Sequence, residues 1–326
     1  MRTAILYGLV VVLTAAVVQG AGAEDVKARY AERLGRLSNV MVTYDVNNII
    51  PEDEAARLIE FAEKRSGGAN RSVRRIEVRG AATERRLCLL VNLARYEMKM
   101  EVPEIKMPDP REGMVTILRD EPSSVVTVLT GPVTEVLGGF RRDTKFAGYV
   151  EKGSHPDDDA IDQSLGLRHG LFRVDSRLLE HVKAAMLADG MAELRFACPG
   201  GGYDRWVLDP GKGYAPVIQE SIGADDVVWS RTQMSDWKQV GGTWLPYVAK
   251  EEQLWTDPNG VQRVTGIVLY TVKSFQVNSP DNKPSLYKMA WPEGTLVTDR
   301  DDGKMYVAEG GQLKPADANT PGFRPK

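Results

Sequence analysis

The sequence predicts an α+β protein built mainly from an antiparallel sheet. Three features lead there. A helix-length amphipathic segment runs directly into a strand, strand patterns dominate from Ser72 onwards, and turn chemistry recurs at short intervals beyond Ala192. In the helical segment, Val26, Tyr30, Leu34 and Leu37 recur on one face between Glu24 and Leu37. Acids open this helix and Arg33 and Arg36 close it, as the helix dipole favours. Asn39 to Val46 then alternates as a first strand, and Pro51 to Lys64 reads as a second helix stopped by Gly67-Gly68.

The longest strand pattern runs from Arg85 to Val102. Cys88, Leu90, Ala94, Tyr96, Met98, Met100 and Val102 share one parity and are expected on one side of a sheet. A proline-rich stretch, Pro103 to Pro110, interrupts. Met114 to Leu118 and Val125 to Leu129 flank Asp120-Glu121-Pro122-Ser123 and read as a hairpin. Helices are expected at Asp159 to Leu167 and Ser176 to Leu187. Beyond them, strands Ala192–Ala197, Arg205–Leu208, Pro216–Ile222, Val227–Trp237, Thr243–Leu254 and Thr265–Val277 alternate with turns. Gly200-Gly201-Gly202, Asp209-Pro210-Gly211, Gly241-Gly242 and Asp257-Pro258-Asn259-Gly260 supply those turns, because Gly and Asn tolerate positive φ and Pro presets the corner.

Composition narrows the function classes. The chain has 326 residues, with 42 Lys and Arg against 45 Asp and Glu, a formal charge of −3 and a pI near 5.8. That balance is a folded protein's and offers no overall positive field for a nucleic-acid backbone. At the amino terminus, Arg2 precedes an uncharged run from Ala4 to Ala23 whose apolar part ends near Val18. Ala21-Gly22-Ala23 then matches the small-residue pattern of a signal-peptidase cut. The expected division is a leader over 1–23, one domain over 24–313 and a disordered tail over 314–326, rich in Pro and Gly. Periplasmic or secreted localisation follows, with no membrane-spanning segment after cleavage. An oxidising compartment allows Cys88 and Cys198 to form a disulfide or to remain two buried thiols.

Three stretches carry a family resemblance: Ala31-Glu32-Arg33-Leu34-Gly35-Arg36-Leu37-Ser38-Asn39-Val40, Trp206-Val207-Leu208-Asp209-Pro210, and Trp237-Lys238-Gln239-Val240-Gly241-Gly242-Thr243-Trp244-Leu245-Pro246. With the closing Trp291-Pro292-Glu293-Gly294-Thr295-Leu296-Val297-Thr298-Asp299, the chain resembles the LolA/LolB-like periplasmic lipoprotein-carrier superfamily. That resemblance implies a strongly curved, unclosed antiparallel sheet, an open half barrel, whose concave side is covered by helices and holds acyl chains. On this reading Tyr96, Met98, Met100 and Met114 provide an adaptable apolar lining, since thioethers are unbranched and polarisable. Most of the Trp are expected to fill the core of the carboxyl-terminal sheet, with Trp206 and Trp244 as candidates for a cavity mouth instead.

Catalytic signatures are absent: the sequence has no G-x-S-x-G elbow, no H-E-x-x-H, no phosphate-binding P-loop and no C-x-x-C. His155 stands before Pro156-Asp157-Asp158-Asp159, where the acids read better as a helix start than as a cation site. His169 and His181 have no ligand-like spacing, and Asp299, Asp301 and Asp302-Gly303 read as a hairpin turn. No catalytic residue, metal site or cofactor is therefore singled out; a non-enzyme is favoured, and a hydrolase stays open without a motif to support it. The expected function is an exported, non-enzymatic carrier or sensor of an apolar or acylated ligand. The alternative is an envelope module that binds a protein or glycan through exposed aromatics, all six Trp lying in the second half.

Overall fold

The computed structural model describes residues 22–37, 39–54, 56–57, 60, 83–90, 93–100, 105–109, 113–117, 123–130, 133–139, 147–152, 179, 181–198, 201–257, 259–317 and 320. The chain divides into two compact units, Met1–Leu37 with Asp159–Arg263, and Ser38–Asp158 with Val264–Lys326. The sequence reading treats 24–313 as one domain; the contacts divide that span. The leader region 1–21 lies outside the described residues, while Gly22 and Ala23 form the start of the first helix. Among the described residues no helix is long and apolar enough to cross a membrane.

The first unit opens with helix α1, residues 22–36. The second unit follows with β1 (Asn39–Ile49), β2 (Thr83–Leu90), β3 (Leu93–Met100), β4 (Ile105–Asp109), β5 (Gly113–Ile117), β6 (Ser123–Thr130), β7 (Val133–Gly139) and β8 (Ala147–Lys152). Then β9 (Lys183–Met186), β10 (Ala192–Ala197), β11 (Tyr203–Asp209), β12 (Ala215–Ile222), β13 (Val228–Val240) and β14 (Thr243–Thr256) return to the first unit. The chain ends with β15 (Gln262–Val277), β16 (Leu296–Asp299), β17 (Met305–Glu309) and β18 (Gln312–Pro315).

In the first unit, β9 to β14 form an antiparallel meander in chain order. Its strands follow the sequence expectation closely. Gly241 and Gly242, at φ 57° and 79°, supply the two left-handed residues that a tight hairpin between β13 and β14 requires. Gly202 is needed for a second reason, because a Cβ there would stand 2.3 Å from the Ile222 carbonyl oxygen. The exception is Lys183–Met186, which is a strand paired with β10 where a helix to Leu187 was expected. Leu187 and Met191 close that hairpin over Gly190, so pairing overrides the helix preference of Ala184, Ala185 and Met186.

Val26, Tyr30 and Leu34 of α1 pack on one face of this meander, against Ala192, Leu194, Phe196, Trp206 and Leu208. Trp206 meets Tyr30 edge-on at 5.9 Å between ring centroids and Phe196 at 4.7 Å. The opposite face carries a ladder of alternating charge. Glu193 accepts from Arg195 Nε at 2.6 Å and Arg205 Nε at 2.5 Å, and Glu220 accepts from Arg205 Nη1 at 3.0 Å and Arg231 Nε at 2.7 Å.

In the second unit the hydrogen-bonded order is β18-β17-β16-β8-β7-β6-β3-β2-β1-β15, open rather than closed and antiparallel except where β16 runs parallel to β8. The expected single strand Arg85–Val102 is two strands, β2 and β3, with Leu90 opposite Leu93. Reversal changes the parity rule, because residues directly opposite share a face. Leu87 and Leu89 therefore share a face with Tyr96 and Ala94, and Cys88 faces the other way beside Arg95. The expected hairpin across Asp120–Ser123 is also corrected: β5 pairs with β4 in a separate ribbon containing Pro108, and β6 pairs with β3 and β7. Lys314 and Pro315, expected in the tail, belong to β18. The expected helix Asp159–Leu167 lies outside the described residues.

Asn282 fastens the segment after β15 to the end of this sheet. Its Nδ2 donates to Asn39 Oδ1 at 2.9 Å and to the Leu89 carbonyl at 2.5 Å, while Tyr287 Oη donates to its Oδ1 at 2.7 Å. Tyr287 is thereby held against Met41, Cys88 and Val128. Asn282→Ala leaves buried partners unsatisfied and is expected to lower stability by about 1–3 kcal/mol in a denaturant melt.

Candidate functional site

Tyr96, Met98 and Met100 are register partners of Leu87, Arg85 and Thr83, on the same sheet face as Leu87 and Leu89. That face continues onto β1 through Val40, Val42, Tyr44 and Val46 and onto β15 through Phe275, Val272 and Tyr270. All of these β1 and β15 residues are buried. Met114 stands opposite Pro108 in the β4–β5 ribbon, apart from that face. The other side of the sheet is mixed. A cavity of about 330 Å³ there is lined by Met41, Thr43, Glu84, Arg86, Glu97, Ser274 and Gln276.

Trp206 and Trp244 belong to the first unit. Trp206 is completely buried in the core beneath α1. Trp244, half-buried, lines a cavity of about 430 Å³. One wall of this cavity is the side of α1 bearing Asp25, Arg29, Glu32, Arg33 and Arg36. The β11–β12 connection, Pro210 to Tyr214, and the β13–β14 turn, Gly242 to Trp244, supply the rest. Each wall has a local cause. Asp209 Oδ1 accepts from Gly211 N at 2.8 Å and its other oxygen pairs with Lys212, which shapes the short helical turn Pro210–Lys212. Gly213 at φ 63° then redirects the chain. The three stretches that carry the family resemblance each contribute to this cavity.

Arg33 is the unusual group. It is only 4% exposed, and its Nη2 donates to the Trp244 carbonyl at 2.8 Å. Its Nε is buried with no hydrogen-bond partner among the described residues, as is Thr243 Oγ1 on the facing turn. Burial pushes the guanidinium pKa down to about 10, with the nearby Tyr30 hydroxyl opposing that shift, so Arg33 stays charged at neutral pH. Burial pushes the Tyr30 hydroxyl pKa upward, and its oxygen also lacks a hydrogen-bond partner among the described residues.

Sequence reasoning placed Arg33 only as a complement to the helix dipole. A signal was present, since positions 26, 30, 33 and 37 are spaced four, three and four, the rhythm of an inward-facing helix seam. Cys88 and Cys198 are thiols in the structure. Burial raises the Cys88 pKa, and Cys198 Sγ lies 3.6 Å from Asp204 Oδ2. His155 and His169 lie outside the described residues, and His181 is exposed. Asp299 caps the β16–β17 turn by accepting from Asp301 N at 2.9 Å.

No family model and no curated protein matches the chain. Among solved structures, the fold is similar to a domain from Vibrio parahaemolyticus provisionally assigned to outer membrane lipoprotein sorting, at 9% identity and a TM-score of 0.43, covering 82% of this chain and 99% of that one. It is also similar to a LolA superfamily protein from Nitrosomonas europaea, at 9% identity and a TM-score of 0.42, over 83% and 99% of the two chains. A third similar structure is a DUF1329 family protein from Desulfovibrio piger, at 8% identity and a TM-score of 0.35, over 82% and 99%.

Proposed function

We propose that this chain is an exported, non-enzymatic binding protein that carries or senses an apolar or acylated ligand. The supporting observation is the largely apolar face shared by β15, β1, β2 and β3 in the second unit, interrupted by Arg85, on an open sheet whose opposite side carries Glu84, Arg86 and Glu97. A ligand's acyl part would lie along that face, with Tyr96, Met98 and Met100 extending its lining toward β6, beneath a helical cover. Export rests on the apolar run from Ala4 to Val18 and the small residues Ala21, Gly22 and Ala23.

The test is native mass spectrometry with solvent extraction of protein purified from its own host. One lipid per protein is the expected result, with Met98→Lys abolishing most of the recovered lipid. Repeated recovery without lipid, together with a crystal structure of that protein showing a side-chain-filled interior, would overturn the proposal.

A second reading is favoured by Trp229 and Trp255, which are 61% and 45% exposed on the first unit. Exposed indoles suit stacking on a glycan or a partner protein. Quenching of their fluorescence by envelope glycans, lost in Trp229→Ala, is the result that supports it. Unchanged fluorescence across a panel of envelope glycans and partner proteins would remove it.

A further inference from the structure

We propose that the first-unit cavity holds a singly charged oxyanion, a carboxylate or phosphodiester, on the guanidinium of Arg33. Most of the charged side chains that line it are paired. Asp25 pairs with Arg29 at 3.4 Å, Glu32 pairs with Arg36, and Asp209 pairs with Lys212. Each of these cations has a carboxylate of its own. Arg33 has none among the described residues, although it is the most buried cation of the set. The wall therefore carries one uncompensated positive charge.

A buried guanidinium without an anion is costly, and among the described residues the fold gives this one only the Trp244 carbonyl as partner. Its planar fork matches two oxygens that share one negative charge. Nε–H and Thr243 Oγ are both buried without a partner among the described residues, in side chains that line the cavity from facing walls, so each keeps hydrogen-bonding capacity that a bound oxyanion would take up. A cavity of about 430 Å³ accommodates a headgroup as well as a small free anion.

This site stands on a different unit and different residues from the apolar face, so either can fail without the other. The experiment titrates the full chain with dimethyl phosphate, with acetate, and with lysophosphatidylglycerol below its micelle concentration. Calorimetry is read together with the ¹H–¹⁵N resonance of Arg33 Nε–H. Movement of that resonance with any of the probes supports the site. A response to the soluble probes identifies the oxyanion group itself as sufficient, and a response to the lysolipid alone identifies a lipid-borne headgroup. Arg33→Gln is expected to weaken binding about 10- to 100-fold, the worth of charge-assisted hydrogen bonds. Thr243→Val, which keeps Arg33 and the hairpin, is expected to weaken it several-fold and guards against misfolding of the arginine variant. If no probe moves the Nε–H resonance, or if Arg33→Gln folds and binds as the parent does, the proposal is overturned.

Discussion

Trp206→Ala is expected to destabilise the first unit by about 3–5 kcal/mol, the range for removing a fully buried large aromatic. Trp206 has no exposed surface and is packed between α1 and the sheet, edge-on to Tyr30 and in tilted contact with Phe196. Its register partners are Leu194 on β10 and Gln219 on β12, so the cavity left by alanine opens in the middle of the meander. The loss also releases α1, whose Val26, Tyr30 and Leu34 depend on the same cluster. Urea denaturation followed by circular dichroism measures the change. A loss below about 1 kcal/mol would show that α1 is not seated on that face.

Glu193→Gln is expected to cost about 2–3 kcal/mol, somewhat less than the removal of one partner from a fully buried ion pair because both arginines keep contact with solvent. The carboxylate holds Arg195 and Arg205 in one arrangement on the sheet face opposite Trp206. Burial alone would raise its pKa, but hydrogen bonds from Arg205 and Arg195 outweigh it and hold the carboxyl below its ordinary range. Stability from this group is therefore complete above the unfolded carboxyl value of about 4.3 and is lost as pH falls through the lower folded value. Denaturant midpoints of the parent chain should drop between neutral and pH about 3, and the glutamine variant should show a shallower drop. Equal pH profiles for the two proteins would sink this account.

Much of the first unit was legible from residues 190 to 260, because its reversals use glycines at positive φ, which leave an unambiguous mark. The second unit was harder to read. Between Leu90 and Leu93 the sequence offers only Val91-Asn92, without Gly or Pro, so two strands looked like one and the facing of every residue after the turn was inverted. The helix-like composition of Lys183 to Leu187 likewise hid a strand, since pairing with β10 was a tertiary fact. Arg33 was named but misjudged. Its helical position was plain, whereas its burial depends on a hairpin more than two hundred residues later bringing Trp244 over it.

The interleaving of the two units governs how the chain can be made and cut. α1 belongs with strands that begin beyond residue 180, and β1 pairs Val42 with Phe275. On a ribosome the amino-terminal half must therefore wait, incompletely paired, until the last quarter has been synthesised. Such long-range closure slows assembly and exposes unsatisfied edges meanwhile. No contiguous fragment reproduces either unit. A nick in the loop around residue 259, by contrast, leaves two pieces that hold each other through β1 and β15, so co-expressed halves split there should reassemble where separately produced halves do not.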